Sequence, residues 1–157
     1  MSSKKQNLIE RLMLLGQTES METALFHQMA AESFGMGITD MKAISALMLE
    51  GPMSAGNIAK RLHITTGAVT NLVDRLEGRG MVRRVADDKD RRKVIIQATP
   101  PDPSSFKNDP YTSMGKAYAS HLMGYTEKEL EFLIGYHQKQ IEITKGQIDG
   151  FAVSYKK

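Results

Sequence analysis

Val69, Leu72, Val73 and Leu76 fall at i, i+3, i+4 and i+7, a single apolar stripe down one side of a helix. Thr65 precedes the stripe as a good N-cap and Gly80 follows it as a left-handed C′ residue, so the pattern predicts a helix running to about Arg79. Just upstream, Ser54 caps a shorter amphipathic helix that ends near Leu62, with Ile58, Ala59 and Leu62 turned inward. About three residues around His63-Ile64-Thr65 join the two, the arrangement of a helix-turn-helix. Beyond Gly80, Met81 to Ala86 and Lys93 to Ala98 are rich in Val and Ile and read as two strands. The charged run Asp87 to Arg92 between them makes a hairpin with a long polar tip.

The flanks are helical. Leu8, Leu12, Leu15, Met21, Leu25 and Met29 give a long helix from about Leu8 to Phe34, broken by Phe34-Gly35-Met36-Gly37. Thr39 is the expected N-cap of a short helix carrying Met41, Ile44, Leu47 and Met48, and Gly51-Pro52 stops it. Thr99 to Pro110 holds four of the five prolines and reads as an irregular loop. A modest helix follows from Thr112 to Met123, then a final one capped by Thr126 and continuing past Ile148. The fold class is therefore mainly α with a small β-hairpin wing. A winged helix-turn-helix core over 38–99 is flanked by helical regions over 5–35 and 111–150, all within a single domain over 1–157.

Composition narrows the classes. At 157 residues with 41% hydrophobic and 25% charged residues the chain is of ordinary globular make-up. No apolar run approaches the ~18 residues of a membrane span. Glu10 and Arg11 interrupt the apolar part of the N-terminal segment, and no small-residue cleavage site follows, which speaks against a signal peptide. Cysteine is absent, so disulfides and thiol chemistry are excluded; a cytoplasmic protein is expected. The net charge of +3 says little, but its distribution says more. Between Ser54 and Ile95 ten Lys or Arg stand against five Asp or Glu, so one central block is basic and the flanks are mildly acidic.

With its stripe turned inward, the Thr65-to-Arg79 helix offers Gly67, Thr70, Asn71 and Asp74 on the other side, with Arg75 at the edge. Small polar groups on such a helix suit the major groove of double-stranded DNA. Gly67 lets the backbone approach the duplex, and Thr65 and Thr66 meet phosphates at the positive helix end. Asn71 suits an adenine edge and Arg75 a guanine or a phosphate, with Thr70, Asn71 and Arg75 left as alternatives for base and backbone contact. Ser54, heading the preceding helix, joins this set. At the hairpin tip Arg91 and Arg92 are candidates for a narrow minor groove, and Asp90 is expected to hold Arg92 in a DNA-facing geometry.

The stretch SAGNIAKRLHITTGAVTNLVDRLEGRGMVRR, followed by DDKDRRKVIIQAT, resembles the winged-helix core of the MarR family of bacterial and archaeal regulators. The family's D-x-R, followed by a strand ending in Leu-Thr, is matched by Asp90-Arg91-Arg92 and VIIQAT, with Ala98 where Leu is usual. The resemblance implies a homodimer whose terminal helical regions intertwine, a pseudo-palindromic operator, and repression relieved by a small-molecule effector, often a phenolic or lipophilic anion. The proline-rich loop departs from the family pattern, so the helix near Thr112 is expected to be displaced or shortened. A winged-helix protein–protein interaction module without DNA binding is the rival reading, against which the retained basic wing and polar helix face weigh. His27, His63, His121 and His137 lack metal-ligand spacing, eleven methionines read as core, and no catalytic or cofactor fingerprint is present. Neither metal, cofactor nor enzymatic activity is expected.

Overall fold

The computed structural model describes residues 3–87, 90, 92–99 and 109–154. They form two compact units divided between residues 101 and 102. The first unit holds α1 (Ser3–Ser33), α2 (Ile38–Glu50), α3 (Ala55–Leu62), α4 (Thr66–Gly78) and the strands β1 (Val82–Ala86) and β2 (Val94–Ala98). The second holds α5 (Pro110–Leu122) and α6 (Glu127–Ser154). The architecture is mostly helical with a two-stranded antiparallel hairpin, as the sequence predicts.

The core of the first unit lies where the α4 stripe meets α2, α3 and the hairpin. Val69, Leu72, Val73 and Leu76 are all buried, together with Ile58 of α3, Ala43 and Leu47 of α2, Val82 and Ile96. Removing such side chains from water supplies about 1.5–3 kcal/mol apiece for the larger ones. The hairpin register runs from Val82 opposite Ala98 to Ala86 opposite Val94. Met53 extends it: its N–H donates to the Ile96 carbonyl (3.0 Å) and its carbonyl accepts from the Ile96 N–H (2.7 Å). This isolated bridge fastens the chain before α3 to the wing.

Local signals explain the boundaries. The Ser54 hydroxyl accepts from the Asn57 N–H and the Thr65 hydroxyl from the Ala68 N–H, both at 3.2 Å, as N-caps should. Gly80 adopts the left-handed φ of 70° that ends α4. The expected cap of α2 is corrected: Gly37, not Thr39, is the N-cap. The reason is Asp40, which at the third helical position reaches back to accept from the Gly37 N–H (3.4 Å) and fixes the start two residues earlier. The helix expected from Thr112 begins at Pro110, because the Asp109 carboxylate accepts from the N–H groups of Tyr111 and Thr112. Thr126 and Glu129 form a reciprocal capping box at the start of α6. Residues 100–108, most of the proline-rich loop, lie outside the described residues.

Candidate nucleic-acid interface

The two sides of α4 are chemically separate. Its aliphatic stripe is buried, while Thr66, Gly67, Thr70, Asn71, Asp74 and Arg75 are exposed. A Cβ placed on Gly67 meets nothing within 4 Å, so no internal packing requires glycine there. The side-chain amide of Asn71 has no hydrogen-bond partner among the described residues. The Thr70 hydroxyl donates to the Thr66 carbonyl (3.2 Å), and the residue is exposed. Ser54 and Thr65 share the capping role at the starts of α3 and α4, the two helix N-termini of the motif. His63 closes α3 in the left-handed conformation (φ 54°) and turns the chain into α4.

The charged side chains are less free than their number suggests. Arg75 donates through Nη2 to Oδ1 of Asp40 at 2.7 Å. Arg84 on β1 donates to Asp74 (2.6 Å) and also pairs with Glu77, whose carboxylate accepts from the Arg84 backbone N–H as well (2.9 Å). Those bonds, the backbone one foremost, hold the Glu77 carboxyl below the ordinary glutamate value against some opposing desolvation. The pairing with Asp74 leads in raising the Arg84 guanidinium above its own. Arg79 donates to the carbonyls of Phe34 and Gly35, just past the end of α1, satisfying acceptors that a helix terminus leaves open. Arg61 pairs with Glu50 (2.7 Å), and Arg83 with Gln97 across the hairpin (3.0 Å). Within the basic block, Lys60 is the one described cation with no such partner.

At the wing, Asp90 and Arg92 meet. The Asp90 Oδ1 accepts from Nε of Arg92 (3.1 Å) and from its backbone N–H (3.2 Å), while Lys93 lies 3.6 Å from Oδ2. The Arg92 side chain is foremost in keeping the Asp90 carboxyl below its usual value. Asp90 is 26% exposed and Arg92 is 92% exposed, so the carboxylate sits at the root of a cation that projects into solvent. Residues 88, 89 and Arg91, the last an expected DNA contact, lie outside the described residues. Sequence reasoning did not find Asp40, the Asp74–Arg84–Glu77 cluster or the Arg79 anchor. The one local hint was Asp40 three residues after Gly37, at capping-box spacing.

A family model described as the MarR family matches residues 38–94. An HTH-type transcriptional regulator of Bacillus subtilis, YcgE, is 37% identical over 127 residues, covering 81% of this chain and 82% of its own. The chain belongs to the MarR family. It is thus a DNA-binding transcriptional regulator rather than an enzyme. Among solved structures, a MarR family protein from Bacillus stearothermophilus superposes with a TM-score of 0.63 at 17% identity, over 89% of this chain and 97% of that one. A mutant of S. aureus MepR, bound to an oligodeoxyribonucleotide, superposes with a TM-score of 0.52 at 22% identity, over 85% and 97%. Among the described residues no helix of this MarR family member is long and apolar enough to cross a membrane, and no cluster of His, Asp and Glu is arranged to hold a metal ion.

Proposed function

We propose that this regulator is a cytoplasmic, ligand-responsive repressor that binds a pseudo-palindromic operator as a homodimer. The observation that carries the reading is α4, whose aliphatic side is fully buried while its small polar side faces outward with Gly67 open and Asn71 unengaged. In this reading α4 enters the major groove. Thr65 and Thr66 meet phosphates near its N-terminus, joined by Ser54 at the start of α3, and Thr70, Asn71 and Arg75 face base edges or backbone. The wing places Arg92, anchored by Asp90 and accompanied by Arg91, against the minor groove. The core over 38–99 is the DNA-binding part.

Helical regions over 5–35 and 111–150 form the dimerisation part. Support comes from the large apolar side chains left exposed in the single chain: Leu8, Leu12, Leu15 and Met29 on α1, and Phe132, Ile134, Ile141 and Phe151 on α6. A monomer rarely leaves so much apolar surface to water, and an isologous pairing of two copies covers it. Two α4 helices then face half-sites about one helical turn, roughly 34 Å, apart.

The test is fluorescence anisotropy of genomic duplex fragments titrated with full-length protein at two salt concentrations. Affinity falls steeply with salt through counterion release. Arg92→Ala lowers the logarithmic salt slope by about one per site contacted. Binding that is absent, or indifferent to salt, overturns the reading in favour of a winged-helix protein–protein interaction module.

A further inference from the structure

The recognition helix is held by charge as well as by packing, and one of these holds points outward. Asp40 is only 7% exposed, a depth at which a carboxylate without partners is strongly disfavoured. Its Oδ2 accepts from the Gly37 N–H and its Oδ1 from Nη2 of Arg75, so both oxygens are partnered and the carboxylate is fixed within α2. Arg75 is the opposite case. Its side chain is 58% exposed, and its Nε and Nη1 have no partner among the described residues. It stands one turn beyond Asn71 on the same exposed side of α4.

We propose that Asp40 is the positioning residue for Arg75 and, through it, a determinant of which duplex sequence α4 accepts. The inference rests on the DNA-binding reading above and deepens it. An arginine without a hold samples many rotamers and loses that freedom when it meets DNA. Here one amino group is already bound to a buried carboxylate, so the ordering is done in the free protein and the remaining donors keep one orientation beside Asn71. A planar fork of fixed orientation fits a pair of acceptors on one base edge, whereas a loose cation settles on phosphate of any sequence.

Positioning and plain electrostatics predict opposite signs. Removing a negative charge near the interface strengthens binding to every duplex if charge is all that matters. If Asp40 positions Arg75, its removal weakens binding to the preferred sequence and leaves other duplexes nearly untouched.

Asp40→Asn keeps an acceptor oxygen and discards the charge. The probes are a duplex of about 30 base pairs, enough for two half-sites, enriched from a random pool by the full-length wild-type protein, and a scrambled duplex of the same composition. Asp40→Asn is expected to lose about tenfold on the enriched duplex and less than about twofold on the scrambled one. Arg75→Gln reproduces that loss, and the double variant adds nothing to it. Equal or tighter binding of the enriched duplex by Asp40→Asn overturns the proposal, as does an equal loss on both duplexes. Full additivity in the double variant overturns it too. Melting followed by circular dichroism checks folding. If Asp40→Asn does not fold, Arg75→Lys carries the same comparison: it keeps the cation without the fork, and wild-type affinity for the enriched duplex overturns the proposal. A wild-type protein that enriches no sequence from the pool overturns the DNA-binding reading itself, and this one with it.

Discussion

His63 is the one non-glycine among the described residues with a positive φ. At the junction of α3 and α4 an L residue in this conformation crowds its Cβ against the following carbonyl, at a cost of about 1–2 kcal/mol. Glycine removes the crowding but adds freedom to the unfolded chain, which returns about 0.5–1 kcal/mol of the gain. His63→Gly is therefore expected to stabilise the protein by about 0.5–1 kcal/mol and His63→Val to destabilise it by at least about 1 kcal/mol, read from urea midpoints. A less stable glycine variant means that the imidazole itself contributes at the turn. Single residues with a local job were easy to read from the sequence. Ser54, Thr65, Gly80 and Thr126 announce helix ends because the groups they satisfy lie within three or four residues of them. Thr39 misled for the same local reason. It is a good capping residue by type, but the carboxylate next to it binds the Gly37 N–H and so moves the cap.

At the scale of elements, the wing is tied to α4 by Arg84, which grips Asp74 and Glu77 from β1. The folded Glu77 carboxyl lies below its ordinary value of 4.5, so the clamp contributes its full stability above that pH. The contribution is lost as pH falls through the lower folded value, when Glu77 takes up a proton. Thermal melting between pH 6 and pH 3 is expected to show a steeper loss of Tm in the wild type than in Glu77→Gln, which has no charge to lose. Parallel curves mean that the clamp does not couple the wing to the helix. The two sides of α4 were fully visible in the sequence, since a 3.6-residue period sorts them without knowledge of any neighbour. The polar ties were not. Asp40 and Arg75 stand 35 positions apart, and Arg79 reaches carbonyls 44 and 45 positions away, so only the packing of α1, α2 and α4 brings them together. The count of cations in the basic block likewise gave no sign of their internal partners. Most of its described arginines fasten the motif to itself before they meet anything else.

For the molecule as a whole, the exposed leucines of α1 and isoleucines of α6 predict association. Sedimentation at micromolar concentration is expected to give twice the chain mass. Leu12→Glu combined with Ile141→Glu is expected to shift the protein toward the monomer, because a charge on a covered apolar face is left without water or partner. A wild-type protein that sediments as a monomer removes the proposed pairing. The hold of Arg79 on the carbonyls just past α1 adds a link between two helices far apart in sequence. It ties the exit of a 31-residue helix directly to the C-cap of α4, a second link beside the covalent path through the glycine-bearing bend between α1 and α2.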